Sequence, residues 1–111
     1  MNLKVTVLVF SGRPNPSWEI SSELATKFMQ QWKELPPVEG MQLPASQLGY
    51  QGCRIELSSS EYRIIYDGFG YWFKNGKQVE QKRDAGRKIE KQILNSVPSQ
   101  YAELISQVVN F

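Results

Sequence analysis

Apolar and polar positions alternate first between Leu3 and Phe10, where Leu3, Val5, Val7 and Val9 fall on one side and Lys4, Thr6, Leu8 and Phe10 on the other. A period of two in a run rich in β-branched residues predicts a strand. Its second half is apolar on both sides, which predicts a central position in a sheet. The period then lengthens. Leu24, Phe28, Trp32 and Leu35, with Ala25 and Met29 beside them, recur at helical spacing, while Lys27, Gln30, Gln31, Lys33 and Glu34 fall mostly elsewhere. This helix starts near Ser21 or Ser22, whose hydroxyl can accept from a free backbone amide, and Glu23 suits the positive end of the dipole. Pro36-Pro37 ends it, because neither ring has an N–H to donate and Pro36 pushes Leu35 out of helical angles.

After a long connection from Val38 to Gly52, alternation returns. Cys53, Ile55 and Leu57 alternate with Arg54 and Glu56, and Tyr62 to Asp67 alternates again after Ser58-Ser59-Ser60. Asp67-Gly68 and Asn75-Gly76 are tight-turn signals on either side of Phe69 to Lys74, and a short strand follows around Gln78 and Val79. The pattern predicts a meander with Tyr62, Ile64, Tyr66, Phe69, Tyr71 and Phe73 on one face. The other face is expected to show Arg54, Glu56, Arg63, Ile65, Trp72 and Lys74.

The last third is helical. Asp84 is placed to cap a helix in which Ala85, Ile89, Ile93 and Val97 repeat every four residues beside Leu94. Pro98 and Ser99 break it and start a terminal helix striped by Tyr101, Leu104, Ile105 and Val108. The elements together predict a single α+β domain over residues 1–111. Its antiparallel sheet has four or five strands, the first central and the rest a meander, with three helices packed mainly on one face.

Composition removes several chemistries. Histidine is absent, so the chain has no imidazole base, no histidine metal site and no serine or cysteine triad of the usual kind. The one cysteine, Cys53, can form neither an intrachain disulfide nor a thiolate zinc site, and beside Ile55 and Leu57 it reads as a small buried hydrophobe. Carboxylates such as Glu19 and Glu23 are scattered rather than paired across a cleft. No catalytic residue, metal or cofactor is therefore assigned. An enzyme would have to be of an unfamiliar type, using Arg13 with Glu19 or Asp67. No stretch approaches the ~20 apolar residues that cross a bilayer, and Val5 to Phe10 is short for a secretory core. The expectation is a cytoplasmic protein that does not engage membranes.

Candidate binding residues gather in three places. Ser11 to Trp18 reads Ser-Gly-Arg-Pro-Asn-Pro-Ser-Trp, and the prolines force Arg13 and Asn15 toward extended angles, which presents a guanidinium and an amide on one side of a stiff loop ending at Trp18. Tyr50 lies between Gly49 and Gly52 as an expected exposed tip. Arg54, Arg63 and Trp72 share the predicted face away from the aromatic cluster, and Trp, Tyr and Arg are the types enriched at interface centres. These seven residues predict a non-enzymatic adaptor that engages a peptide or protein partner through a sheet edge or face, or a second copy of the chain as a homodimer.

Two other readings stand beside it. Arg13 near the first helix N-terminus could hold a carboxylate or phosphate. Residues 74–91 carry seven basic and three acidic side chains within a chain of net charge +2, which invites nucleic acid. Lys82, Arg83, Arg87 and Lys91 equally form the solvated side of an amphipathic helix, and that reading is preferred over nucleic acid.

The Ser11–Trp18 string and Leu48-Gly49-Tyr50-Gln51-Gly52 resemble a group of small bacterial proteins with a Ser-Gly-Arg-Pro-Asn-Pro-x-Trp loop and a later Leu-Gly-Tyr-x-Gly motif. Cys53 departs from the aromatic residue expected after the second motif. The resemblance extends loosely to helpers that hold peptides during natural-product maturation, and it implies that the two motif loops meet in space.

Overall fold

Val5 and Val7 are fully buried because they project from the face of the first strand that meets the helices, whereas Lys4 on the opposite face is exposed. The computed structural model describes residues 3–9, 14–39 and 49–109. The first strand, β1, spans Leu3–Val7. It is flanked by β2, Ser17–Ile20, and β3, Cys53–Glu56, both antiparallel to it. The meander continues through β4, Glu61–Tyr66, β5, Phe69–Lys74, and β6, Lys77–Arg83. The order β2-β1-β3-β4-β5-β6 makes an antiparallel sheet of six strands, not four or five. β1 is interior but second from the edge rather than central.

The additional strand is β2. Trp18 and Ile20 point into the core while Glu19 is exposed, an alternation of four residues too short to stand out beside two prolines. β6 extends over seven residues where a short strand was expected around Gln78 and Val79. It is polar and irregular because it lies at the edge, and a register shift opposite Trp72 and Phe73 interrupts it.

The Asp67-Gly68 and Asn75-Gly76 turns form as their sequences require. All four residues take positive φ, the hairpin geometry that suits the twist of the flanking strands. Helix α1 covers Ser22–Glu34, capped by the Ser21 hydroxyl, which accepts from the Leu24 amide at 3.1 Å. It ends at Leu35, held in extended geometry before the two prolines. Helix α2, Lys88–Leu94, starts later than Ala85 because a 3-10 turn, Ala85–Arg87, precedes it and Gly86 and Arg87 both have left-handed angles. Asp84 nevertheless serves the helix, its two carboxylate oxygens accepting from the Ile89 and Glu90 amides at 2.9 and 3.1 Å. Helix α3 covers Ser99–Val108.

The core lies between the helices and one face of the sheet. Leu3, Val5, Val7, Trp18, Ile20, Cys53, Ile55 and Ile65 meet Ala25, Phe28 and Trp32 of α1, Ile89, Ile93 and Leu94 of α2, and Ile105 of α3. Gly70 gives the Trp32 ring its room, since a Cβ there would run into that ring and stand 3.2 Å from Ile65 Cδ1. All three helices of the described residues thus contribute to the same side of the sheet.

Candidate functional site

Strand register decides what the other side carries. Arg54 pairs with Ile64, Ile64 with Tyr71, and Tyr71 with Gln81, so these four form one row across β3 to β6. Glu56, Tyr62 and Phe73 form the row on one side of it, and Tyr66, Phe69 and Arg83 the row on the other. Cross-strand partners share a face. The helix-free face therefore holds Tyr62, Tyr66, Phe69 and Phe73, each partly exposed, around the buried Ile64 and Tyr71.

The rings and cations on this face are ordered against one another. Tyr62 and Phe73 stack with centroids 5.1 Å apart, and Phe69 leans on Tyr71 at 6.5 Å. The Arg54 guanidinium lies 4.1 Å from the Tyr62 centroid, and that of Arg83 lies 5.0 Å from Phe69. Such contacts favour cation and ring together without consuming the cation's hydrogen bonds. Burial, with the negative charge of Asp67 adding to it, raises the Tyr71 pKa, so its phenol stays neutral. Arg54 lies 3.6 Å from Glu56, whereas Arg83 is exposed and has no ion pair among the described residues. At the far end of the same face Lys4 pairs across the strands with Glu19 and Glu56, so charge there is mixed.

The expected grouping of Arg54 and Glu56 with Arg63 and Trp72 is corrected by this register. Arg54 and Glu56 lie on the aromatic face; Arg63 and Trp72 lie on the helical one. Arg63 is only 4% exposed, its guanidinium 4.8 Å from the Trp32 ring and 4.9 Å from the Trp72 ring. Burial lowers its pKa against the pull of Glu61 and Glu80. The two tryptophans donate their indole N–H groups to those same acids, Trp72 to Glu61 at 2.7 Å and Trp32 to Glu80 at 3.2 Å. This sandwich fastens the end of α1 to the sheet.

The remaining predicted residues brace the fold. Asn15 Oδ1 accepts from the Val9 amide at 2.9 Å, and Pro16 accepts from Val7 at 2.9 Å. Trp18 is 7% exposed, packed in the core with its indole donating to Ser96 Oγ at 3.0 Å. Tyr50 is not an exposed tip. It is half-buried, donates to Glu90, meets Tyr66 edge-on at 5.7 Å and stands 3.7 Å from Cys53 Sγ. Gln51 and Gly52 bond to Leu8 through the backbone. The described parts of the two sequence motifs therefore flank one segment, Val7 to Val9. Arg13, with the anion reading that depended on it, lies outside the described residues.

The basic segment does not assemble into one surface. Lys82 is buried, donating to the Trp32 carbonyl at 2.8 Å, and Arg87 is bound to Glu90. Arg83 faces the aromatic side, while Lys77 and Lys74 pair at the β5–β6 turn.

The edges of the sheet are also occupied or interrupted. The outer side of β6 near its end already pairs with the chain after α1, Val38 donating to Gln81 and Arg83 to Pro36, both at 2.9 Å. Its first half carries the register shift and Val79, 53% exposed, and β2 has only four residues. Among the described residues no group of acids, cysteines or histidines is arranged to hold a metal ion, and no helix is long and apolar enough to cross a membrane.

Tyr62, Phe73, Gln81 and Arg83 are not among the seven candidate binding residues that the sequence marks. The two-residue turns gave the signal for the ring row, since they fix the pairing of Tyr66 with Phe69 and hence the face of every ring behind it. No protein-family model, curated protein or solved structure matches the chain.

Proposed function

We propose that this protein is a non-enzymatic binding protein that engages a peptide or protein partner through the helix-free face of its sheet. One observation carries the reading: the helices of the described residues pack their core side chains on one side of the sheet, while the other presents four partly exposed aromatic rings with Arg54 and Arg83 among them. Aromatic side chains supply large contact area at little cost in conformational entropy, arginine supplies directional polar contacts, and both types are enriched at interface centres. Addition of a strand to an edge is less favoured, because β2 is short and β6 is paired in one half and shifted in the other. A nucleic-acid role for residues 74–91 is less favoured too, because Lys82 and Arg87 are consumed internally.

Selection of a phage-displayed random peptide library on the folded protein tests the reading. The wild type is expected to enrich peptides whose binding is lost in Tyr62→Ala with Phe73→Ala and retained in Trp72→Ala. Absence of enrichment, or peptides indifferent to Tyr62 and Phe73, would overturn it.

A further inference from the structure

Among the described residues of the helix-free face, two side chains keep buried polar atoms without a hydrogen bond, Arg54 at Nε and Gln81 at both ends of its carboxamide. Gln81 is 4% exposed, yet neither the carboxamide nitrogen nor the oxygen has a hydrogen-bond partner. A buried donor or acceptor left unpaired destabilises the folded chain, and nearly all such groups in folded proteins are satisfied. A leucine or methionine would fill similar space without that cost. The residue is therefore poorly explained by the stability of the isolated chain.

A carboxamide offers one acceptor and two donors in a plane, the complement of a peptide group's N–H and C=O. Gln81 stands opposite Tyr71, with Phe69 and Phe73 diagonal to it across the β5–β6 ladder. These two rings are partly exposed and lie outside the helical core cluster, and exposed side chains exchange rotamers rapidly. Two residues along β6, ~7 Å away on the same face, is Arg83, exposed and stacked on Phe69. A guanidinium so placed favours a carboxylate, which it can bind through two parallel hydrogen bonds.

We infer that the partner is an extended acidic peptide, whose backbone amide pairs with the Gln81 carboxamide while an Asp or Glu side chain one or two residues away meets Arg83. This rests on the binding reading above and adds the chemistry of the ligand. Arg54, over Tyr62 on the same face and beside Glu56, is the weaker cation and lies at the other end of the row.

The test uses two random heptapeptide display libraries, one complete and one lacking Asp and Glu, followed by calorimetric titration of the most enriched peptide. Enrichment is expected from the complete library alone. Gln81→Leu should weaken the titrated peptide at least tenfold while raising the melting temperature of the free protein, and Gln81→Met serves if the leucine variant fails to fold. Arg83→Gln should weaken binding and reduce its dependence on salt. Equal enrichment from the library without acids, or unchanged affinity in both Gln81 variants, would overturn the inference. Peptides that still require Tyr62 and Phe73 but ignore Gln81 would sink this inference alone and leave the binding face standing. Competition by a twelve-nucleotide oligothymidine, in place of any acidic peptide, would assign the face to single-stranded nucleic acid and overturn both.

Discussion

Tyr50 donates its phenolic proton to the fully buried carboxylate of Glu90, which ties the glycine-flanked turn before β3 to helix α2 across forty positions of sequence. The same carboxylate accepts two hydrogen bonds from Arg87, each 3.0 Å, and one from the Asp67 amide at 2.9 Å. Arg87 holds a left-handed backbone, φ 57°, to do this. A buried charge persists when it is paired and its lone pairs are filled. Burial raises the Tyr50 pKa, with the negative charge of Glu90 among the further causes, so the phenol remains a donor.

Removing the cation from this cluster leaves Glu90 buried without its countercharge. Arg87→Ala is therefore expected to destabilise the protein by about 3–5 kcal/mol, measured by urea unfolding. Tyr50→Phe removes one donor and should cost about 1–3 kcal/mol. A loss below about 1 kcal/mol in Arg87→Ala would show that the cluster does not anchor α2.

Cys53 gives the fold a dependence on alkaline pH. Burial pushes its thiol from 9.0 up to about 12, with Glu90 adding to the shift and Tyr50 and Arg87 opposing it. The unfolded chain releases this proton first, so the stability from the neutral thiol is complete below about pH 9 and declines as pH rises toward 12. Tyr50 acts in the same sense at higher pH. Unfolding titrations should show a shallower decline above pH 9 for Cys53→Ala than for the wild type. A thiol reagent at pH 8 should modify Cys53 only as fast as the protein opens.

Gly70 is a packing requirement of the helical face. Its Cβ-free surface is where the Trp32 ring lies, and Trp32 in turn stacks on Arg63 and donates to Glu80. Gly70→Ala should destabilise by about 1–3 kcal/mol through overpacking. The indole fluorescence of the folded protein should change as well. A variant as stable as the wild type would place the Trp32 ring elsewhere.

These contacts show where sequence alone stops. The alternation in Leu3–Val7, the Ser21 cap, the Pro36 stop and both glycine turns each depend on neighbouring residues, and each formed as read. The face of Arg54 depends instead on how Leu57 to Ser60 returns the chain to β4. There Leu57 and Ser58 both donate to the Glu61 carbonyl and Glu56 pairs with Tyr62. A one-residue change in such a connection exchanges the two faces of a strand, and a run of serines does not specify the count. Strand β2 was hidden because four residues carry too little alternation. Arg63 and Trp72 have the composition of an interface but serve an internal stack, a distinction set by Trp32, more than thirty positions away in sequence.

Trp72 supplies the contrast that separates packing from binding. Trp72→Ala removes one wall of the Arg63 sandwich and the hydrogen bond to Glu61. It should cost about 3–5 kcal/mol of stability while leaving peptide affinity within about twofold, a difference of ~0.4 kcal/mol. Phe73→Ala should weaken binding at least tenfold with a smaller loss of stability, since its ring is partly exposed.

Chemical-shift mapping of the isotopically labelled protein against the most enriched acidic peptide tests the central claim most directly. The account predicts shifts concentrated at Tyr62, Phe69, Phe73, Arg83 and the side-chain amide of Gln81, with the buried residues of α1 to α3 unmoved. Shifts centred on Arg63, Trp72 and the helices, with the aromatic face silent, would contradict it.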